Sequence, residues 1–518
     1  MKKLKTFPFF LLSTSILFLS CGNRDFEFKE PNFSKSNLMK KVTDLKLKAD
    51  YRGVYRGSEG SKEDNFLKGW QHWDSDRFRR VHIPTSNIER AKKNLRSEPM
   101  NEVIVAVIDS GIDVNHEAFK GRIWENANEI PYDGIDNDGN GFIDDIHGWN
   151  FLGEVEKENL ELTRKFRRCG EENLLEGEDR RDCFRVEKEF NKKYKKAIQD
   201  FNYVKAYSSY FGKEAYNHYY NQVHFLLNPS YNPRESSIEG ALYNEEWGNP
   251  NVLPRRDEES HGTHVAGIIA GRKFNNISIG VNPYAKIMAL RVVPEGDERA
   301  RDVSRAVIYA VKNGARIINM SFGNYENTGH KELMHAFEFA ASEGVLIVHA
   351  AGNDSFNINK MIHSPTRKGG SKRLVNSWIE VGSSTSTIYL NKENQKYYVN
   401  SSLLPSSFSN YGNSYVDIFA PGSQIYAPVP AGQYASMSGT SMASPLVSGV
   451  ASLLLSYNPD LNGEDLKKAI IQSSRKESYE VYLPKQSKSK KEVPFGYLSL
   501  SGSVLDAYQA VKYVKEKH

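Results

Sequence analysis

The chain has 518 residues, and 69 Lys and Arg against 64 Asp and Glu leave it a formal charge of only +5. With 26% charged residues and a mean hydropathy of −0.58 it has no room for repeated apolar spans, and so small a net charge excludes a dedicated nucleic-acid binder. Three cysteines cannot build a disulfide scaffold, and their odd number asks for an explanation.

Residues 1–20 place three lysines ahead of an apolar stretch from Phe7 to Leu19. That stretch is too short and too interrupted for a membrane span and has the layout of a secretory signal. It runs into Ser20, Cys21 and Gly22, which together resemble a bacterial lipobox, although Phe18 stands where Leu is usual. The resemblance implies acylation of Cys21 and an exported lipoprotein held at a membrane, in the periplasm or on the cell surface; a plain signal peptide is the alternative. In an oxidising compartment Cys169 and Cys183 are free to pair, closing a loop worth about 3 kcal/mol in the chain-entropy model, against the alternative of two free thiols. Residues 21–69 read as a polar, lysine-rich tether with one short helix near Asn37 to Leu47.

From about Trp70 the texture is globular. Val103 to Ile108 is a continuous apolar, largely β-branched run, the signature of a parallel strand buried on both faces, and similar runs recur at Ile287 to Val293, Ala315 to Met320, Val345 to His349 and Trp378 to Val381. Helical patterns at Val303 to Asn313 and Lys331 to Glu343 fall between them, each closed by a glycine, and a long apolar helix is expected from Leu446 to Tyr457, directly after a GTSMASP turn. Alternating strand and helix predicts an α/β fold with a mostly parallel sheet covered on both sides. Between about 154 and 258 the pattern gives way to a charged stretch with nine of the 28 tyrosines between Tyr194 and Tyr243. There Phe190, Tyr194, Ala197, Phe201 and Val204 predict an amphipathic helix packed on the body; a tyrosine-rich surface for peptide or glycan is the rival reading.

Three segments carry chemistry. VAVIDSGID puts Asp109 at the end of the first buried strand, SHGTHVAG puts His261 at the opening of a helix, and SGTSMASP puts Ser441 before the long apolar helix. A serine hydroxyl needs a base to become a nucleophile, neutral imidazole is that base near pH 7, and a carboxylate behind the imidazole fixes its tautomer. The chain order Asp, His, Ser, with these blocks, resembles the subtilisin-like serine proteases (subtilases). The resemblance implies a subtilisin-like three-layer α/β fold and an endopeptidase with an Asp109–His261–Ser441 triad. HAAGND (349–354) resembles the family's oxyanion segment, which implies Asn353 as oxyanion donor and Ala351 and Gly352 beside the substrate. INMSFG (318–323) resembles the strand that pairs with substrate, which implies Ser321, Phe322 and Gly323 as substrate-binding residues. A catalytically silent adhesion lipoprotein on the same fold is the rival.

DGIDNDGNGFIDD (133–145) spaces Asp136, Asp138, Asn140 and Asp144 like the oxygen ligands of a calcium loop, with Asp133 or Asp145 supplying a further carboxylate. His147 stands where an EF-hand has Glu, so the loop is not an EF-hand; a solvated acidic turn is the alternative. A structural calcium ion, polypeptide substrates and a membrane reached through Cys21 are the expected partners. The chain then divides into a signal segment at 1–20, a tether at 21–69 and one peptidase unit at 70–518, interrupted by an insertion at 154–258.

Overall fold

Along Val103–Asp109 (β1), Val105 and Val107 face one side, Ala106 and Ile108 the other, and all four are buried. A strand covered on both faces has no polar alternation to show, hence its unbroken apolar run. The computed structural model describes residues 55–56, 67–75, 83–171, 180–234, 248–255, 259–326, 329–361, 363–391, 396–484 and 491–517; the signal segment, Cys21 and the helix expected near 37–47 lie outside them. Within it β1 belongs to a nine-stranded sheet with Gly148–Asn150 (β2), Ala285–Arg291 (β3), Ile317–Met320 (β4), Leu346–Ala350 (β5), Trp378–Ser384 (β6), Ile418–Pro421 (β7), Arg475–Lys476 (β8) and Ser503–Val504 (β9). Their order is β8-β9-β7-β6-β5-β4-β1-β3-β2, and every pairing is parallel except β8 with β9.

The helices that matter for the site are Glu161–Glu171 (α1), Cys183–Ala206 (α2), Ser208–Asn221 (α3), His261–Ala270 (α4), Ala300–Lys312 (α5), His330–Ser342 (α6) and Thr440–Tyr457 (α7). Residues of α5 and α6 form the core on one face of the sheet with Ala106, Ile108, Met288 and Ile318. Those of α4 and α7 form the larger core on the other, with Val105, Val107, Ile287 and Val348. The fold is therefore the α/β three-layer arrangement expected. Helix α7 starts six residues earlier than the apolar pattern suggests: the GTSMASP block is its first turns, because a buried helix start need not look apolar when its polar groups are paired.

That pairing is regular. Ser444, Ser448, Ser452 and Ser456 recur every four residues on one line of α7 and are fully buried. Ser444 Oγ meets Ser321 Oγ at 2.9 Å, Ser448 Oγ donates to Asn319 Oδ1 at 2.9 Å, and Asn282 Nδ2 donates to Ser452 Oγ at 3.1 Å and to Ser456 Oγ at 2.9 Å.

The described part of the charged stretch after 154 packs largely on itself. The apolar line of α2 is present, but it packs on α1 and α3 rather than on the body. Phe190 stacks on Phe166 with ring centroids 4.0 Å apart, and Phe201 and Val204 cluster with Phe211, Ala215 and Tyr219. A Cys169–Cys183 disulfide joins α1 to α2. Backbone bonds and buried charge both tie this segment to the body: the Glu158 N–H donates to the Glu295 carbonyl at 2.8 Å and the Glu295 N–H to the Glu156 carbonyl at 2.9 Å. Buried Glu158 lies 3.7 Å from Arg164, 3.5 Å from Arg234 and 2.8 Å from Arg299, and Arg234 reaches Asp302 at 2.7 Å. Burial alone would raise the Glu158 carboxyl, but the three guanidiniums hold it below its ordinary value. Among the described residues no helix is long and apolar enough to cross a membrane.

Candidate active site

Asp109 ends β1, His261 opens α4 and Ser441 is the second residue of α7, so parallel strand ends and helix starts aim all three into one crevice. Asp109 is 1% exposed; its Oδ1 accepts from the Ser110 N–H at 2.7 Å and from His261 Nδ1 at 2.8 Å. With Nδ1 donating, Nε2 is the basic nitrogen. The approach needs Gly262, where a Cβ would fall 2.3 Å from the Gly111 carbonyl oxygen and 3.1 Å from Asp109 Cβ. Burial alone would push the His261 imidazole down, but the charge of Asp109 and the hydrogen bond to it hold it above its ordinary 6.5. The Ser441 hydroxyl donates to the Ser321 carbonyl at 2.9 Å, and among the described residues no hydrogen bond joins it to His261.

The segment after β5 brings Asn353 against the start of α7. Asn353 Oδ1 accepts from the Thr440 N–H at 2.8 Å and from Thr440 Oγ1 at 3.1 Å, which fixes the amide oxygen and leaves Nδ2 as its donor end. Thr440 Oγ1 also accepts from the Gly352 N–H at 3.1 Å. Gly352 has φ +100°, and a Cβ there would meet Asn410 Nδ2 at 2.4 Å. Asn410 is buried under this loop and donates to the Ala351 carbonyl at 2.7 Å while accepting from the N–H groups of Asp354 and Phe356. Thr440 and Asn410 escape motif reading because neither carries a reactive group; only the structure shows what they orient.

Ser321, Phe322, Gly323, Ala351 and Gly352 line one cleft of about 570 Å³ with the three residues above and Asn353. Behind it stands a histidine that motif reading passes over. His349 Nδ1 faces Glu380 Oε1 at 2.8 Å and its Nε2 faces the Phe322 carbonyl at 2.8 Å. Both neighbours are acceptors, so the ring satisfies both only as imidazolium. Burial alone would push the imidazole down, but Glu380 and the Phe322 carbonyl hold it above 6.5; burial would raise the Glu380 carboxyl, but His349 holds it low. The ring's share of stability is thus present below 6.5 and fades as pH climbs through its raised value, while that of Glu380 is lost only as pH falls through a depressed one.

Carboxylate oxygens of Asp138 and Asp145, with Glu129 from outside the motif, lie within 4.8 Å of one another. Asp133, Asp136, Asn140 and Asp144 are not in that group and accept from the loop's own N–H groups, as when Asp136 takes those of Gly139, Asn140 and Gly141; Glu129 and Asp138 accept loop N–H groups too. Burial raises the Asp145 carboxyl, opposed by hydrogen bonds from Tyr309, Asn126 and Asn140. Three converging carboxylates are a donor set that fits a hard divalent cation.

A model described as the Subtilase family matches residues 100–497. In sequence the chain is similar to Subtilisin-like protease 1 of Plasmodium berghei (strain Anka), 26% identical over 415 residues covering 77% of this chain and 51% of that one. It is also similar to a thermophilic serine proteinase of Bacillus sp. (strain AK1), 36% identical over 222 residues covering 42% of this chain and 48% of that one. The chain thus spans about half the length of these relatives. Among solved structures it is similar to a cold adapted subtilisin-like serine proteinase, with TM-score 0.42 and 22% identity over 79% of this chain and 90% of that one.

The His261 ring is expected to titrate above 6.5, and Asp109→Asn to lower its midpoint. An NMR titration of the imidazole C–H signals checks this, with the resonance missing from His261→Ala giving the assignment. A midpoint at or below 6.5 in the unsubstituted protein contradicts the Asp109–His261 geometry.

Proposed function

Because this chain belongs to the Subtilase family, we propose that it is a serine endopeptidase, hydrolysing peptide bonds through an acyl-enzyme on Ser441. The observation that carries the reading is the 2.8 Å Asp109–His261 contact opening onto the cleft that Ser441 and Asn353 also line. The Ser441 hydroxyl first leaves the Ser321 carbonyl, then attacks the scissile carbonyl carbon while His261 Nε2 takes its proton. The negative oxygen of the tetrahedral intermediate is met by Asn353 Nδ2 and by the Ser441 N–H, one of the unbonded donors of the first turn of α7. As the C–N bond breaks, His261 returns the proton to the leaving amine. Water then attacks the acyl-enzyme, giving its proton to His261, which passes it back to Ser441 as the carboxylic acid departs. The extension of β4 at Ser321–Gly323, on the wall of the cleft, supports substrate binding by strand addition.

The second reading is a silent binding protein of the same fold, favoured by the Ser441 hydroxyl bonding to Ser321 rather than to the imidazole. A fluorophosphonate probe decides between them. It is expected to label the unsubstituted protein and not Ser441→Ala, and Asn353→Ala is expected to slow peptide hydrolysis by about 10²–10³, a magnitude taken from a member of this family. A folded protein that the probe does not label is not a protease.

The loop reading extends to a structural calcium ion held by Glu129, Asp138 and Asp145, whose chemistry is to neutralise carboxylates that otherwise repel. Calcium is expected to raise the melting temperature by a few degrees and Asp138→Asn to abolish the increment, read by calorimetry with and without chelator. A melting point indifferent to calcium rules the site out.

Export and acylation at Cys21 rest on the lysine-led apolar segment and the lipobox-like residues after it. In a lipoprotein-processing bacterium the chain is expected to incorporate a clickable fatty acid and to sediment with membranes. Cys21→Ser is expected to lose both properties; a soluble, unlabelled parent protein defeats the reading.

A further inference from the structure

The insertion supplies part of the wall of the cleft. Leu160, Glu214, His218 and Asn221 line it along with Ser321, Gly323 and the loop Val293–Glu298 that follows β3. The insertion also grips that loop. Arg164 of α1 donates to the backbone carbonyls of Asp297 at 3.1 Å and Glu298 at 2.9 Å, and the Glu161 N–H donates to Asp297 Oδ2 at 2.8 Å. Arg164 donates to the Asn159 carbonyl as well and meets Glu161 and Glu158 with its charge, so it makes no direct ion pair with the Glu298 carboxylate.

Although the chain is net positive, no lysine or arginine lines the cleft among the described residues, whereas carboxylates do. Five are committed, Asp109 to His261, Glu259 to Arg291, Asp354 to the Tyr325 phenol, Asp297 to the Glu161 N–H and Glu295 to Asn221 Nδ2, and Glu214 is exposed to solvent. Glu298 remains. It is 7% exposed, its Oε1 accepts from Asn324 Nδ2 at 2.9 Å, the carboxylate also accepts from its own backbone N–H, and among the described residues no lysine or arginine forms an ion pair with it. A carboxylate this buried without a cation is costly unless a ligand brings one. Asn324 directly follows Ser321–Gly323, so Glu298 lies beside the backbone edge on which substrate would lie.

We propose that Glu298, presented by the insertion-held loop, forms a subsite for a cationic side chain, so that the substrates are polypeptides carrying Lys or Arg in the segment lying along Ser321–Gly323. The inference rests on the proteolytic reading above. The chemistry is that of a charge-assisted hydrogen bond from ammonium or guanidinium to a carboxylate sheltered from water. Burial and the neighbouring Asp297 push the Glu298 carboxyl up to about 7, with Arg164 and Asn324 opposing. The groups facing it are Asp297 beside it, Arg164 from α1, Asn324 after β4 and, more distantly, His349 of β5.

Fluorogenic peptides identical except for Lys, Arg or norleucine at one position at a time test this with the full chain. At one position the kcat/KM ratio of Lys or Arg over norleucine is expected to be about tenfold or more, and Glu298→Gln to collapse it to within about threefold. In the unsubstituted protein the ratio is expected to rise from pH 6 to pH 8 as Glu298 ionises, a readout in which titration of His261 cancels. Equal rates for cationic and neutral peptides at every position, a ratio flat across that pH range, or a ratio unchanged in Glu298→Gln overturns the subsite while leaving the protease intact. Absence of both fluorophosphonate labelling and peptide hydrolysis overturns the proteolytic reading, and the subsite with it.

Discussion

A helix buried on every side can place a hydroxyl only against another polar group, and α7 has four such hydroxyls in a row. Each of the serines at 444, 448, 452 and 456 has a partner outside the helix, supplied by Ser321, Asn319 or Asn282. Sliding the helix by one residue would move Ser441 about 1.5 Å along the axis and turn the whole line by about 100°. It would strand buried hydroxyls at about 1–3 kcal/mol each. Apolar packing alone tolerates such slips, because one aliphatic contact substitutes for another. The polar seam does not, so the depth at which Ser441 enters the cleft is set along the entire helix.

The same start of α7 aligns the electrostatics around Ser441. Thr440 accepts from Gly352 and donates to Asn353, so the loop after β5 is referenced to the helix that carries the neighbouring serine. Asn410 supports that loop from beneath, and the His349–Glu380 pair holds the Phe322 carbonyl from behind. Donor, strand edge and hydroxyl therefore share a frame of backbone-directed hydrogen bonds, none longer than 3.1 Å in these contacts. Geometry assembled this way is rigid before any substrate arrives, which electrostatic stabilisation of a developing charge requires.

Much of this was legible in the amino-acid order, for definite reasons. The central strands, buried on both faces, announce themselves as apolar runs, and β1, β3, β4, β5 and β6 lie within about three residues of those runs. The short strands β2, β8 and β9 did not show, since two or three residues at a sheet margin carry no period. Asp109, His261, Ser441 and Asn353 stood out because their blocks pair reactive groups with the glycines that let backbones approach. Thr440, Asn410, His349, Glu129 and Glu298 did not, because each matters only through a neighbour distant in sequence. The aromatic line on α2 was read with the correct period and the wrong partner: periodicity says that a face is covered, not by what.

The segment around α1–α3 has its own small aromatic cores and its own cross-link, and it meets the body through ion pairs of Glu158 with Arg299, Arg234 with Asp302 and Lys165 and Arg185 with Glu326, and through backbone bonds to the loop after β3. Nothing in the serine seam or in the Asp109–His261 contact passes through it. The wall of the cleft and its floor are thus built by different parts of the chain under different packing rules. Sequence change in α1–α3 can reshape what the cleft admits while the reactive geometry stays where α7 puts it, so the two can drift at separate rates.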